Sequence, residues 1–220
     1  TRQLPHQVAA DVLGEDRPMA VLSGPTFAKE VGEGLLTAMT IAANDAGFAD
    51  DLAVALSDDK FRAYTSGDII GVEVGAAVKN VLAIGAGMSD GLGFGANARV
   101  ALINRGLVEM TRLGVALGAR KETFMGLAGM GDLVLTCTDN LSRNRRMGLA
   151  LASGKSIAEA QEEIQQVVEG VTAAEAVHEV AEHLGIEMPI CYQVYRIIHD
   201  GASPREAVGA LMGRDLKSEH

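Results

Sequence analysis

Apolar residues change their rhythm along the chain near Gly67. Ahead of that point, short apolar runs alternate with segments of helical period. Residues 1–13 carry their apolar side chains on one side and predict a helix ending near Gly14, with Pro18 in the following connection. Residues 19–23 form a short apolar run suited to a buried strand, which stops at Gly24-Pro25 before a short helix over 26–31. A second strand is predicted over 37–43, a helix over 45–57 and a third strand over 61–65. Strands alternating with helices indicate parallel or mixed α/β structure. Because three strands make a poor sheet by themselves, residues 1–67 read as the remnant of a larger α/β domain.

After Asp68 no further convincing strand occurs. Long helices are predicted over 68–88 and 97–117, and between residues 69 and 88 the only polar side chains are Glu73, Lys79 and Asn80. Those three, with four glycines, make this segment a buried helix rather than a membrane span. Gly71 and Gly75 offer it a flat patch for close helix packing. Later helix starts are signalled by Ser156/Glu159, Thr172/Glu175 and Ser203/Glu206, the last with Pro204 at the first helical position. Gly185 and Gly201 stand where helices should stop. The expected division is therefore an α/β part, 1–67, and an all-helical part, 68–220.

Charge narrows the partners. A net charge of −10 argues against a broad nucleic-acid or membrane surface, since both reward a basic stripe. Any anionic ligand has to be met locally. Cys137 and Cys191 are far apart and in no metal-ligand spacing, which suits free thiols in a reducing cytosol. His178 and His183 are five apart and do not share a helix face, so no metal is expected. Residues 1–12 lack the apolar core of a cleavable signal, and a cytoplasmic protein is expected.

Local sign reverses in residues 126–146, where three glycines precede Asp132 and the stretch closes on Arg143, Arg145 and Arg146. Ser142 can cap a following helix whose first N–H groups, with Arg143 and Asn144 in the first turn, would hold an anion. Arg145 and Arg146 read equally well as a solvated basic turn. Lys79, in its apolar helix, is expected to be partly buried, and desolvation would tune it for acid/base work. A snorkelling lysine, or one paired with a distant carboxylate such as Asp132, is the alternative. Gly24 and Thr26 follow a strand and open a helix, the place for a ligand at the carboxyl edge of a sheet or for a plain turn. Gly85, Gly87, Gly91, Gly93 and Gly95 imitate a dinucleotide fingerprint but have the wrong spacing and follow no strand. Glu169, ahead of the helix expected at Thr172, could accept from a hydroxyl or lie free on the surface.

Six motifs occur in order: Leu22-Ser-Gly-Pro-Thr-Phe-Ala-Lys-Glu30, Ala77-Val-Lys-Asn-Val81, Gly93-Phe-Gly-Ala-Asn-Ala-Arg99, Gly126-Leu-Ala-Gly-Met-Gly-Asp-Leu-Val-Leu-Thr136, Ser142-Arg-Asn-Arg145 and Val167-Val-Glu-Gly170. The series resembles the bacterial NAD(P)-dependent glycerol-3-phosphate dehydrogenases over the whole chain, beginning after that family's glycine fingerprint. The resemblance implies the trailing edge of a Rossmann domain followed by an all-α substrate domain of the 6-phosphogluconate dehydrogenase C-terminal kind. It implies hydride transfer between NADH or NADPH and dihydroxyacetone phosphate, giving sn-glycerol 3-phosphate for phospholipid synthesis. Lys79 would be the catalytic proton donor and acceptor, with Asn80 beside it and Asp132 and Thr136 holding the lysine and the glycerol hydroxyls. Gly24 and Thr26 would line the substrate, and Ser142, Arg143 and Asn144 would bind its phosphate. Ala28, Arg143, Val167 and Glu169 would touch the dinucleotide. The fragment alone is expected to be inactive, and a homodimer is left open. A 3-hydroxyacid or 6-phosphogluconate type dehydrogenase, and a non-catalytic helical module in which Lys79 and Asp132 form a structural pair, are the competing readings.

Overall fold

A computed structural model describes residues 2–215. Thr1, where the first helix was expected to begin, and 216–220, the end of the expected helical part, lie outside the described residues. The first helix, α1 (Pro5–Leu13), starts at a proline, whose fixed φ and missing N–H suit a first helical position. Three strands follow: β1 (Ala20–Ser23), β2 (Thr37–Ala43) and β3 (Phe61–Ser66). They form one sheet in the order β1-β2-β3, with β1 antiparallel to β2 and β2 parallel to β3. The sheet is thus mixed, as the alternation of elements allowed. Between β1 and β2 lies α2 (Ala28–Gly32), which begins two residues later than expected because the Thr26 hydroxyl turns back onto the Gly24 carbonyl at 3.1 Å and Phe27 stays extended. Between β2 and β3, α3 (Ala46–Leu56) starts where the Asp45 carboxylate accepts from Phe48 N at 2.7 Å.

The helical part is built around α4 (Ile69–Gly91), which is buried along most of its length. Its composition and length would let it cross a membrane, yet here its apolar surface is covered by protein. A helix that is apolar all round needs such a jacket. The jacket comprises α5 (Gly95–Ala116), α6 (Asp132–Thr138), α7 (Arg143–Ala152), α9 (Glu169–Leu184) and α10 (Pro189–His199). Two short helices lie farther out, α8 (Ile157–Ile164) against α7 and α11 (Pro204–Met212) against α10.

At its start, α4 is fixed by Asp68, a buried carboxylate that accepts from Gly71 N at 2.9 Å, Arg120 N at 2.9 Å and the Thr123 hydroxyl at 2.5 Å. One side chain thereby satisfies the first turn of α4 and pins the segment after α5 to it. Glu73, one turn on, accepts from both His6 N at 2.8 Å and His6 Nδ1 at 2.6 Å, tethering α1. Small residues let neighbours approach closely. Gly71 and Gly75 do so as expected, since a Cβ on Gly75 would overlap the Ala128 carbonyl. Farther along, Asn80 meets Asn144, Ile84 O lies against Gly148, and Gly91 faces Ala152, so α4 and α7 run parallel with their backbones in contact.

The Ser156/Glu159 and Ser203/Glu206 capping boxes form, and Gly185 takes the left-handed conformation that ends α9. The expectation at Thr172 fails. That helix begins four residues earlier, with Val168 at the cap and Glu169 as its first residue, and Thr172 lies inside it. Buried Val168 anchors the start, and Gly170 N donates to Asn144 Oδ1 at 2.8 Å, so a partner on α7 replaces the local cap. The start of α10 is likewise capped from afar, since the buried Glu109 carboxylate on α5 accepts from Ile190 N at 2.7 Å and Cys191 N at 3.1 Å.

Two predictions follow from this packing. Gly148→Ala gains about 1 kcal/mol of helix propensity, but its methyl would overlap Ile84 O and Gly87. Overpacking costs about 1–3 kcal/mol and more where backbone must move, so the urea midpoint should fall; a rise would refute the close α4–α7 contact. Burial pushes the Glu109 carboxyl above its ordinary value of 4.5, outweighing the two backbone N–H groups. The folded chain therefore holds this proton more tightly than the unfolded chain does, and the resulting stability, full below pH 4.5, is lost as pH rises through the raised value. Relative to the parent, Glu109→Gln should gain stability as pH rises above 4.5, measured as the difference between the two pH–stability curves; parallel curves would contradict the shift.

Candidate active site

Lys79 leaves α4 with its side chain 18% exposed and forms an ion pair with Asp132, whose side chain is 3% exposed. The placement of Asp132 follows from the glycine-rich stretch that precedes it. Residues Leu127–Gly131 make a single wide helical turn, and α6 starts from it with Asp132 as its first residue. A carboxylate is favoured at a helix start. The Thr136 hydroxyl donates to Asp132 O at 2.6 Å and lies 3.2 Å from Oδ1, while the Ser23 hydroxyl donates to Oδ2 at 3.4 Å. Burial pushes the Asp132 carboxyl above its usual range, against the downward pull of Lys79, Thr136 and Ser23. The lysine expected to be partly buried is so, and the distant partner proposed for it is the partner it has.

Ser23 was missed. It is the last residue of β1 and carries the sheet's edge to the aspartate. The adjoining Gly24 and Thr26 form the turn beyond it, with Gly24 against Met39 and the Thr26 hydroxyl spent within the turn. The strand expected to be buried is only partly so, with Leu22 46% exposed, and Ser23 is its one buried residue; a hydroxyl ending an apolar run and followed by Gly-Pro is the signal that could have found it. Ala28 opens α2 on the exposed side of the same turn.

The next residue of α4 turns to the other half of the site. Asn80 Oδ1 accepts from Asn144 Nδ2 at 2.8 Å, and Asn80 Nδ2 donates to Glu169 Oε2 at 3.2 Å. Asn144 Oδ1 in turn holds Gly170 N, which closes a loop of hydrogen bonds joining α4, α7 and α9. Gly170 has to be glycine, because a Cβ there would lie 2.7 Å from both Asn144 Oδ1 and Asn80 O. Ser142 caps α7 as expected, accepting from Arg145 N at 3.2 Å, so the dipole's positive end and Arg143 occupy one corner. Arg143 is half-exposed, with Glu169 Oε1 3.7 Å away. Val167, 76% exposed, and Glu169 form the outer lip of this corner.

Arg145 departs from the solvated-turn alternative. It is buried and donates to Asp90 Oδ2 at 2.6 Å, Asn140 Oδ1 at 3.1 Å and Cys137 O at 3.2 Å. Arg99 reaches the same Asp90 oxygen at 2.7 Å, so Arg145 is structural. Cys137 and Cys191 are free and buried, and burial pushes the Cys137 thiol up to about 12. Neither is a nucleophile at neutral pH.

The geometry thus joins a lysine–aspartate pair to a helix-capped cationic corner through adjacent residues of one helix. The model of the C-terminus of NAD-dependent glycerol-3-phosphate dehydrogenase matches residues 68–209, and that of the N-terminus matches residues 1–49. A protein of Aeromonas hydrophila subsp. hydrophila named as an NAD(P)+ glycerol-3-phosphate dehydrogenase is 59% identical over 99% of this chain and 65% of its own length. One of Shewanella sediminis with the same name is 59% identical over 100% of this chain and 65% of its own length. The crystal structure of glycerol-3-phosphate dehydrogenase from Coxiella burnetii superposes with a TM-score of 0.94 at 51% identity, covering 97% of this chain and 65% of that one. The chain therefore spans about 65% of the length of the curated relatives it matches. Matched by that family's models along most of its residues, the chain belongs to the NAD-dependent glycerol-3-phosphate dehydrogenase family.

Proposed function

We propose that the complete protein moves a hydride between NADH or NADPH and dihydroxyacetone phosphate, giving sn-glycerol 3-phosphate for phospholipid synthesis in the cytoplasm. The observation that carries this reading is the junction at Lys79 and Asn80. Lys79 is paired with a buried carboxylate, and Asn80 is bonded to the helix whose capped start carries Arg143. A small molecule with a phosphate at one end and a carbonyl or hydroxyl near the other fits such a pair of sites.

In this reading Ser142, Arg143 and Asn144 take the phosphate. The capped start of α7 supplies N–H groups and dipole, and Arg143 supplies charge that the rest of an acidic chain does not. Lys79 then stands at the C2 oxygen. Its ammonium donates a proton as negative charge develops there and takes one back in the reverse direction. Asp132, braced by Thr136 and Ser23, fixes where that ammonium points. Gly24 and Thr26 line the substrate from the sheet side. Asn80 orients the neighbouring phosphate corner through Asn144.

A nicotinamide dinucleotide would meet exposed Ala28 on the sheet side and Arg143 with exposed Val167 and Glu169 on the helical side. When bound, it supplies or accepts the hydride. The division at Gly67 belongs to the same proposal, with 1–67 serving the dinucleotide and 68–220 the substrate.

Ligand-dependent unfolding tests the reading. A ligand that binds only the folded chain at a hundred times its Kd adds about 2.7 kcal/mol of stability. sn-Glycerol 3-phosphate should raise the melting temperature, glycerol should not, and inorganic phosphate should do so weakly. Arg143→Ala should abolish the protection. Equal protection by glycerol, or full protection of the Arg143→Ala chain, would overturn the phosphate assignment. In the complete protein, Lys79→Met should lower kcat by about 10²- to 10⁴-fold with a smaller change in KM. An unchanged kcat would leave the Lys79–Asp132 pair a purely structural one.

A further inference from the structure

The three arginines of α7's first turns have three different surroundings. Arg145 is buried among three acceptors, and Arg143 stands across from Glu169. Arg146 has neither arrangement. Its Nε is shielded from water and has no hydrogen-bond partner, and among the described residues it is the one side-chain polar atom in that condition. Its guanidinium takes part in no ion pair among the described residues, although the chain carries 29 Asp and Glu. Buried arginine donors are ordinarily matched, because a shielded donor without an acceptor loses its hydration and gains nothing. At about 100° per residue, Arg143 and Arg146 project from α7 roughly 60° apart and one turn apart. Asn144, Met147, Gly148 and Leu151 take the face buried against the other helices, and Arg145 is drawn inward to Asp90. Arg146 is thus left on the flank that Arg143 occupies.

We infer that Arg146 is a second guanidinium of the anion corner: its shielded Nε has no acceptor within the fold, and its terminal N–H groups, which are neither shielded nor bonded to any described residue, receive a phosphoryl oxygen of the bound ligand. This deepens the proposed function and rests on it. Ser142 and the α7 N–H groups would hold the anion from the helix end, Arg143 from one side and Arg146 from the other. A planar guanidinium presents two parallel N–H groups to such an oxygen pair, which a lysine cannot. The oxygen could belong to the monophosphate of the substrate or to the diphosphate of the dinucleotide, and the two are separable by experiment.

Melting temperatures would be measured for the parent, Arg146→Met, Arg146→Lys and Arg143→Ala, each alone, with sn-glycerol 3-phosphate, and with NADH. Methionine keeps the apolar stem and removes the unmatched donor. Without ligand, Arg146→Met should therefore melt at or above the parent temperature. With ligand, its affinity should fall by about tenfold to a hundredfold, the range for loss of a charge-assisted hydrogen bond. Arg146→Lys should recover only part of that loss. Weakening confined to sn-glycerol 3-phosphate assigns the substrate phosphate, and weakening confined to NADH assigns the dinucleotide. If Arg146→Met melts lower than the parent yet binds both ligands as the parent does, Arg146 is a packing residue and the inference falls while the proposed function stands. If neither ligand protects the parent, both fall together.

Discussion

The structure depends on keeping a long helix out of water while a few of its side chains remain polar. Along α4, Glu73, Lys79, Asn80 and Asp90 cannot all reach solvent, and each is matched by a group from another element. Glu73 holds α1 through His6, Lys79 holds α6 through Asp132, Asn80 holds α7 and α9, and Asp90 holds α5 and α7 through Arg99 and Arg145. An unmatched charge in such a place costs several kcal/mol. The polar exceptions on an apolar helix therefore specify which neighbours surround it and in what register, which apolar packing alone does loosely. Two members of this series, Lys79 and Asn80, belong to the candidate site, so the site is a specialised part of the same jacket.

Electrostatics follows a similar economy. A chain of net charge −10 offers an anion little general attraction. The positive potential is made at one point, from the capped start of α7 and the arginines of its first turns. Arg145 is diverted to the Asp90 cluster, where it locks the turn that precedes α7 through Asn140 and Cys137 O. One basic residue is used to build the corner, leaving its neighbours to face outward.

Local signals were legible and, apart from the Lys79–Asp132 pair, remote ones were not. The buried character of α4, the capping boxes at Ser156 and Ser203 and the cap at Ser142 are written within a few residues of where they act. Lys79 and Asp132 could be paired because a lone lysine in an apolar helix demands a partner and a lone carboxylate after glycines invites one. Thr172 misled because its capping pattern was overridden by Asn144, 26 residues before Gly170 in the chain. Arg145 could not be decided between the anion site and a solvated turn because its partner Asp90 is 55 residues away. Ser23 went unremarked for a comparable reason, since its partner is 109 residues distant. Spacing along a sequence records the demands of one element. It is silent on which other element meets them.

The backbone contact between α4 and α7 has a consequence for the geometry of the proposed site. Gly87 and Gly148 leave no side chain between the helices that could yield, so the helix carrying Lys79 and the helix capped by Ser142 behave as two arms of a calliper welded at the hinge. The gap between the jaws, and with it the separation of Lys79 from the capped start of α7, stays set by main chain on main chain.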